Sequence, residues 1–427
     1  MLRRQFVKTV GAGSVIASSG WLSGCATTGG GNGPKVVVVG GGFGGATAAK
    51  YVRMCSDYKI NVTLVEPNAS FVSCPMSNLV IGGVKTMADI TTPYDNLTKR
   101  HGVTMVRDMV TTIDAEKRVV KLASGAELPY DRLILSPGVD FMWETLPGMA
   151  QAGAKDKVLH AWKAGAQTVA LRKQLEAMPD GGVYAMTIPL APYRCPPGPY
   201  ERACQVAHYF SQAKPKSKVL ILDANDDVTS KGPLFKKAWA ERYKGMVEYR
   251  SKHTLTDVDV AGSTLKFDFN DPVKADVLNV IPGMRAGDLA VKTGLATANK
   301  RWCEVDFLTF ESKAAKNVHV LGDSIQIAPG MPKSGHMANQ HGKTCAAAVV
   351  ALLTGKVPNA NPIYNNTCYS FVSAEDVVHV ASVHRYDAEK KTMVTVPGSG
   401  GVSSSANELE GRFALAWASN IWADTLA

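Results

Sequence analysis

The chain has 427 residues, of which 45% are hydrophobic and 20% are charged. This length and composition suffice for two or three domains, each with its own core, and they exclude a chain that is disordered throughout. The formal net charge is +10, but the basic residues form no polybasic run, which argues against nucleic-acid binding and leaves an acidic partner open. Eight cysteines in so long a chain do not predict a disulfide framework.

The first 25 residues differ in composition from the rest. Arg3 and Arg4 precede a weakly apolar segment that is too short to span a bilayer. This pattern is typical of a twin-arginine export signal, so we expect a periplasmic protein. The segment ends in a pattern that resembles a bacterial lipobox, in which Cys25 would carry lipid. Cleavage nearby without lipid is an equal alternative, and residues 26–34 are expected to form a flexible tether.

A run of valines that breaks into glycines follows directly. The run predicts a strand buried on both faces, and the small residues after it predict a helix. Gly40, Gly42 and Gly45 at the junction have the spacing G-x-G-x-x-G, which suits a tight turn, close approach of a pyrophosphate and close helix packing. The next predicted strand ends in Glu66, where a carboxylate can accept the ribose hydroxyls of an adenosine. Together these features predict a dinucleotide-binding unit, against the alternative of a glycine-rich turn with a chance acid.

Two later segments resemble the cofactor-contacting elements of flavoproteins that have two dinucleotide-binding domains. In residues 130–138 a tyrosine and an aspartate precede an apolar strand, and a small-residue turn ends at Gly138. In residues 317–324 a short strand delivers Asp323 to the place where the ribityl hydroxyls of FAD lie in those proteins. Three elements in this order are more specific than any one of them, so the resemblance predicts FAD as the cofactor.

The predicted fold class is α/β. We expect two Rossmann-like dinucleotide-binding domains of the disulfide-reductase-like flavoprotein type, together with a small C-terminal α+β domain. The FAD-binding domain is expected in two parts, residues 35–165 and residues 286–356. Between them we expect a second Rossmann-like domain at residues 166–285, and after them a C-terminal interface domain at residues 357–427.

The second domain lacks the glycine loop that binding of NAD(P)H requires. Its first predicted strand, residues 182–188, runs into residues 189–202, which contain five prolines and bulky side chains. No glycine loop follows the next strand, which ends at Asp223. Such loops cannot cradle a pyrophosphate, so we do not expect NAD(P)H as the electron source.

The cysteines are informative one by one. Cys195 precedes a rigid proline-rich segment and Cys368 lies in a polar one, but from the residues alone any two of the seven cysteines after Cys25 could pair. Cys74 follows the strand of Glu66 closely enough to reach a flavin ring. Cys55 and Cys345 lie in predicted apolar helices and are expected to be buried in the core. Cys204 and Cys303 are also expected to be structural.

Four segments together are distinctive: the glycine loop at residues 38–51, Tyr-Arg-Cys-Pro-Pro-Gly-Pro-Tyr-Glu-Arg at 193–202, Pro-Lys-Ser-Gly at 332–335 and Thr-Cys-Tyr-Ser at 367–370. By these segments the chain resembles the flavoprotein subunit of flavocytochrome c sulfide dehydrogenase along nearly its whole mature length. In that family one cysteine is bonded to the 8α-methyl group of FAD and two others form a redox disulfide. The resemblance places the flavin bond on Cys74 and the disulfide on Cys195 and Cys368.

The resemblance also implies a function. Sulfide would be oxidised to sulfur or polysulfide through the disulfide and FAD, and electrons would pass singly to a periplasmic c-type cytochrome subunit, usually dihaem. The sequence has no C-x-x-C-H motif, so haem is expected only on the partner, and no metal site is expected. Lys333 would stabilise the reduced flavin. Glu201 is a candidate proton acceptor, with an ion pair to Arg202 or a neighbouring cation as the alternative.

Other functions stay open. One is an NADH-dependent reductase, which the missing second glycine loop opposes. Others are a quinone-linked sulfide reductase and a thiol/disulfide reductase that does not use NADH. The last is an exported flavin-binding protein that binds a cytochrome without turnover of its own.

Overall fold

The computed structural model describes residues 33–427. The export signal, Cys25 and nearly all of the tether lie outside the described residues. In chain order, the strands are β1 Lys35–Val39, β2 Asn61–Val65, β3 Ser70–Val72, β4 Thr91–Pro93, β5 Thr104–Val106, β6 Val110–Asp114, β7 Val119–Leu122, β8 Glu127–Pro129, β9 Arg132–Leu135, β10 Val139–Phe141, β11 Val183–Ile188, β12 Lys218–Asp223, β13 Val247–Arg250, β14 Leu255–Asp259, β15 Thr264–Phe267, β16 Val273–Lys274, β17 Val277–Val280, β18 Met284–Ala286, β19 Val318–Val320, β20 Ile363–Phe371, β21 Val377–Asp387, β22 Thr392–Thr395 and β23 Gly401–Val402.

The helices join these strands and cover their sheets. In chain order, they are α1 Phe43–Cys55, α2 Ser77–Gly82, α3 Asp95–Lys99, α4 Ala154–Lys157, α5 Ala166–Ala177, α6 Gly198–Ala213, α7 Gly232–Glu241, α8 Asp288–Lys292, α9 Gly335–Leu353 and α10 Glu408–Leu426. Short 3₁₀ helices lie at Ala88–Ile90, Trp143–Thr145, Pro147–Ala150 and Gly322–Ser324. Within residues 33–427, none of the helices combines the length and hydropathy that crossing a membrane requires.

The first sheet is built around the valine strand. Its order is β19-β9-β1-β2-β5, all parallel, and the four valines of β1 are buried, as expected of a strand covered on both faces. Parallel strands have their carboxyl ends at the same edge of a sheet. Gly40 after β1, Glu66 after β2 and Asp323 after β19 therefore all lie at that edge. In open α/β sheets this is the edge where ligands bind.

The second sheet has the order β13-β12-β11-β17 and is also parallel. The proline-rich loop after β11 contains Cys195 and leads into α6. β10, on the segment that runs from the first sheet to the second, pairs antiparallel with β18, on the segment that runs back. The loop before α6 is thereby placed beside the ligand-binding edge of the first sheet.

The C-terminal sheet is antiparallel. Its order is β20-β21-β22, with β23 also paired to β21, and α10 packs on β21 and on α1. Cys368 lies on β20, opposite Val380 of β21. The predicted α/β fold with two parallel sheets and a small C-terminal α+β part is therefore confirmed. One expectation is wrong: Cys55 is exposed at the last residue of α1, whereas Cys345 is buried as expected.

Candidate flavin and sulfur site

A cavity of about 230 Å³ lies between the edge of the first sheet, the loop before α6 and strand β20. Elements that are far apart in the sequence meet at its walls. Of the predicted site residues, those that line it are Gly42, Cys74, Gly138, Cys195, Glu201, Asp323 and Cys368. Four others are not among its lining residues: Gly40, Gly45, Glu66 and Lys333.

The glycine loop leaves one wall of the cavity open. Gly40 has a left-handed backbone, φ +96°, and its N–H donates to the carbonyl of Val65 at 3.0 Å. A Cβ on Gly45 would lie 1.9 Å from the Gly40 carbonyl oxygen, so no larger residue fits there. A Cβ on Gly42 would meet no protein atom within 4 Å. The N-terminus of α1 thus faces open space, which suits a diphosphate.

Glu66 is fixed beside this loop. One carboxylate oxygen accepts the N–H of Gly41 at 2.7 Å, and the other accepts the side-chain amide of Asn68 at 2.6 Å. The hydroxyl of Tyr94 donates to the Gly41 carbonyl at 3.0 Å. The sequence analysis did not identify Asn68 or Tyr94, and the ribose contact of Glu66 stays a prediction.

Asp323 presents an unsatisfied oxygen. Its Oδ1 atom is buried and has no hydrogen-bond partner among residues 33–427. Burial raises the pKa of this carboxyl, while Arg194 and Lys333 oppose the rise. A buried polar atom without a partner costs free energy that a ligand hydroxyl would recover. Together with the open glycine loop, this atom shows that the cavity residues fit FAD, and the contact of the ribityl hydroxyls with Asp323 stays a prediction.

The N-terminus of α9 closes another side of the cavity. Ser334 caps this helix by accepting the N–H of Met337 at 3.0 Å, and its hydroxyl donates to the side chain of Asn366 at 2.6 Å. Ser334, Gly335 and His336 line the cavity. The positive end of the helix dipole therefore points at the site, where it favours negative charge.

Cys74 is held by a buried arginine. Its Sγ accepts hydrogen bonds from Arg194 Nη1 at 3.3 Å and from the N–H of Ala164 at 3.5 Å. Arg194 also donates to the carbonyl of Trp162. The sequence analysis gave Arg194 no role, although it stands in the 193–202 segment.

Cys195 sits on a turn that fixes its side chain. Its backbone is left-handed, φ +59°, its N–H donates to the carbonyl of Lys333 at 2.8 Å, and its carbonyl accepts the N–H of Gly198 at 2.9 Å. Burial, with smaller contributions from Cys368 and Glu201, raises the pKa of the Cys195 thiol to about 12, against Arg194 and Lys231. A left-handed non-glycine residue is strained and needs such support.

Cys368 shares the cavity with Cys195. The side-chain amide of Asn366 donates to its Sγ at 3.4 Å. Burial raises the pKa of Cys368, while the charge of Lys231 and the bond from Asn366 lower it. Both cysteines, like the other cysteines of residues 33–427, are free thiols in this structure. The predicted disulfide is therefore seen here as a thiol pair facing one cavity.

Glu201 makes hydrogen bonds rather than an ion pair. It accepts the side-chain amide of Asn78 at 2.7 Å and the N–H of Phe371 at 2.9 Å. Arg202 turns away, to Asn78 Oδ1 at 3.0 Å and to Asn279 Oδ1 at 2.9 Å, so the alternative of an ion pair with Arg202 is wrong. Burial raises the pKa of Glu201, which suits a group that takes up a proton.

The side chain of Lys333 is directed away from the cavity. Its ammonium donates to the carbonyls of Asp323 at 2.9 Å and Ile325 at 2.6 Å, and it lies 3.5 Å from the ring centre of Trp302. Burial lowers its pKa to about 7. The predicted contact with the flavin is thus corrected to a positioning role, because Lys333 holds the segment of Asp323 by its side chain and Cys195 by its carbonyl.

The matching edge of the second sheet is filled by protein. Asp223 ends β12, is fully buried, and accepts the hydroxyls of Tyr200 at 2.7 Å and Tyr249 at 3.0 Å. Trp239 packs against both tyrosine rings. An acid that could hold a nucleotide ribose is therefore saturated by side chains of the same chain.

Family models match three parts of the chain. Residues 168–282 match the central region of the sulfide dehydrogenase [flavocytochrome c] flavoprotein chain. Residues 360–426 match the flavin-binding region of flavocytochrome c sulphide dehydrogenase. Residues 34–178 match the pyridine nucleotide-disulphide oxidoreductase model. The flavin-binding model agrees with the fit of the cavity to FAD.

Individual proteins that resemble this chain include sulfide-oxidising flavoproteins by name. The flavoprotein chain of sulfide dehydrogenase [flavocytochrome c] from Chlorobaculum thiosulfatiphilum is 65% identical over 38 residues, which are 9% of this chain and 77% of that relative. The mitochondrial sulfide:quinone oxidoreductase of Dictyostelium discoideum is 27% identical over 293 residues. That match spans 66% of this chain and 63%, less than two thirds, of the relative's length.

Solved structures share the fold. The sulfide:quinone oxidoreductase of Aquifex aeolicus superposes with a TM-score of 0.73 at 18% identity, over 92% of this chain and 91% of its own. Putidaredoxin reductase in its covalent complex with putidaredoxin gives a TM-score of 0.66 at 17% identity, over 91% of this chain and 93% of its own. These structures show the fold alone. The family models and the Chlorobaculum relative identify the chain as a member of the family of flavocytochrome c sulfide dehydrogenase flavoprotein chains.

Proposed function

We propose that this chain oxidises sulfide to sulfur or polysulfide through a Cys195–Cys368 redox disulfide and FAD, and passes the electrons singly to a c-type cytochrome subunit. One observation carries the proposal. The two thiols, one from the loop before α6 and one from β20, line the same cavity as Gly42 and Asp323, which suit the cofactor.

The sulfur chemistry balances within this cavity. Hydrosulfide attacks one sulfur of the disulfide, the S–S bond breaks, and the products are a cysteine persulfide and a cysteine thiolate. A second hydrosulfide takes the outer sulfur as the hydrodisulfide anion and leaves one thiol and one thiolate. Re-forming the disulfide then releases two electrons and one proton. Glu201, which lines the cavity, would take up this proton.

The chain's residues divide the binding of FAD among them. The N-terminus of α1 at Gly42 would receive the diphosphate, Glu66 the adenosine ribose and Asp323 the ribityl chain. Cys74, with Arg194 beside it, would form the bond to the 8α-methyl group. When bound, FAD accepts two electrons and gives them up one at a time.

A c-type cytochrome is the proposed acceptor because the family is that of flavocytochrome c. We propose that its haem groups, two in a dihaem subunit, are carried by the partner alone. A quinone is the second candidate, since relatives that share sequence and fold are named sulfide:quinone oxidoreductases. Turnover with sulfide, measured in parallel with oxidised cytochrome c and with a soluble ubiquinone analogue, separates the two: reduction of quinone alone would contradict the cytochrome proposal.

Residues 1–25 are proposed to direct the folded chain to the periplasm, with Cys25 as the lipid site. The mass of the mature N-terminus, taken from the periplasmic and membrane fractions of the producing cell, tests both points. A cleaved chain in the periplasm supports export, and a diacylglyceryl mass on Cys25 supports the tether. An uncleaved cytoplasmic chain would contradict both.

Substitution of the cysteine pair tests the chemistry. We expect Cys195→Ser and Cys368→Ser to retain flavin and to lose sulfide-dependent flavin reduction by at least about a hundredfold. The exposed Cys55 is the matched control, and Cys55→Ser should react as the parent does. Normal turnover by the double serine variant would overturn the proposed function.

A further inference from the structure

Lys231 is a buried lysine that reaches the cysteine pair from the side of the second sheet. It immediately precedes α7, has a left-handed backbone with φ +57°, and is only 7% exposed. Its ammonium donates to the carbonyl of Cys368 at 2.9 Å, to the hydroxyl of Ser370 at 2.7 Å and to the carbonyl of Val378 at 3.3 Å. One side chain therefore fixes β20 and β21 where Cys368 is presented.

The groups that face this ammonium are the sulfur and acid groups of the site. They are Cys368, Glu201, Cys195 and, from α10, Glu410. Among the described residues none of these acids lies within 4 Å of the ammonium, so its hydrogen bonds go to neutral oxygens and its charge is not neutralised in an ion pair. Glu410 shares a hydrogen bond with His379, with 2.9 Å between Glu410 Oε2 and His379 Nδ1.

Arg194 is the other cation that acts on Cys195. Its hydrogen bonds go to Cys74 Sγ and to the Trp162 carbonyl, which places it on the Cys74 side of the cavity. Lys231 is bonded to the residue that carries the second sulfur of the pair. Both cations thus act on Cys195, but their hydrogen bonds differ: Arg194 is bonded to Cys74 and Lys231 to Cys368.

Opening a disulfide in a cavity creates a charge that must be stabilised. The S–S bond breaks as hydrosulfide forms a new S–S bond, and the bonding electrons leave with the other cysteine as a thiolate. An anion away from bulk water is costly without a positive partner, and a better stabilised leaving thiolate departs faster.

We propose that Lys231 is a positioning residue of the sulfur chemistry: it holds Cys368 by its carbonyl and supplies the positive charge that stabilises the thiolate formed when the disulfide opens. This inference rests on the proposed function. Burial lowers the pKa of Lys231 to about 8, while Cys368, Glu201 and Cys195 raise it. Its charge is therefore expected to disappear as the solution becomes mildly alkaline.

The test compares Lys231→Gln, which is neutral and still donates hydrogen bonds, with Lys231→Arg, which keeps the charge. Ser370→Ala is the control, because it removes one hydrogen bond of the ammonium and leaves the charge in place. Each flavin-loaded protein is reduced with dithiothreitol and freed of it. The rate at which iodoacetamide alkylates Cys195 and Cys368 is then followed against pH by peptide mass spectrometry.

Below pH 8, where Lys231 of the parent is charged, we expect Lys231→Gln to slow the alkylation of Cys195 and Cys368 about tenfold, and to slow sulfide-dependent flavin reduction about tenfold as well. Lys231→Arg should restore both, and Ser370→Ala should match the parent. Unchanged alkylation and unchanged flavin reduction in Lys231→Gln would overturn the inference.

Lys231→Arg gives a second, independent test should the neutral variant fail to fold. The parent profile is expected to bend near pH 8, where Lys231 loses its charge, and the arginine profile should lack that bend because arginine stays charged. Identical profiles would overturn the inference. Alkylation needs no sulfide, so a parent protein that fails to react with sulfide counts against the proposed function and leaves the alkylation result to decide the role of Lys231.

Discussion

Each of the two parallel sheets has an edge where its strands reach their carboxyl ends. The first of these edges is open to a ligand, and the second is occupied by side chains of the chain itself. At the first edge, a Cβ on Gly42 would meet no protein atom, and an oxygen of Asp323 is buried without a partner. At the second edge, Asp223 is saturated by Tyr200 and Tyr249. The sheet architecture alone does not decide where a nucleotide binds. Local glycine geometry and an acid left unpaired by the protein decide it.

The largest expected effect comes from closing the open edge. We expect Gly45→Ala to abolish flavin binding, because the new Cβ would lie 1.9 Å from the Gly40 carbonyl oxygen and must displace the loop. The measurement is the flavin-to-protein ratio after purification, with far-UV circular dichroism as the check of folding. Gly401→Ala is the control, since a Cβ there meets no atom within 4 Å. Full flavin content in Gly45→Ala would contradict this account of the cradle.

Replacing the acid at each edge, Asp323 or Asp223, by asparagine sharpens the comparison. Asp323→Asn should weaken FAD binding about tenfold, because an uncharged amide replaces a charged acceptor. Asp223→Asn should leave FAD binding unchanged and lower the free energy of unfolding by about 2 kcal/mol, because two buried tyrosine hydroxyls lose a charged acceptor. Titration of riboflavin-depleted apoprotein with FAD and urea unfolding measure the two effects. Weaker FAD binding in Asp223→Asn, with unchanged FAD binding in Asp323→Asn, would contradict the assignment of the cofactor to the first edge.

A further expected effect is a pH dependence of the free energy of unfolding that arises at the first edge. Burial lowers the pKa of Lys333 from an ordinary 10.5 to about 7. The cost of burying its ammonium is therefore fully present below pH 7 and is relieved as the pH rises toward the ordinary value, so the free energy of unfolding should rise over that range. Lys333→Met should make this rise shallower, and Lys237→Met, on the exposed face of α7, should not. Urea unfolding between pH 7 and pH 10 measures it, and parallel curves would contradict the assignment.

The first sheet and its edge could be predicted from the sequence because their signals are local. A run of buried valines, glycines at fixed spacing and an acid at the end of the next strand each follow from neighbouring residues. The second edge could be predicted only as a lack of glycines, since the saturation of Asp223 comes from α6 and β13.

The prediction that Cys195 and Cys368 form a pair depended on the resemblance to a family, because no rule of sequence spacing relates these two cysteines. The residues that tune the pair could not be predicted. Lys231 immediately precedes α7 and reaches the C-terminal sheet. A lysine before a helix carries no periodic signal that marks it as buried. Lys333 was found by its motif, but the direction of its ammonium depends on packing against Trp302.

The most direct test of the central claim is an anaerobic titration of the oxidised, flavin-loaded protein with sulfide, followed by flavin absorbance. We expect the flavin to bleach near stoichiometric sulfide, and to remain oxidised in the Cys195→Ser and Cys368→Ser variants. If the flavin of the parent protein stays oxidised while the disulfide is intact, the chain does not oxidise sulfide, and the account given for its cavity is contradicted.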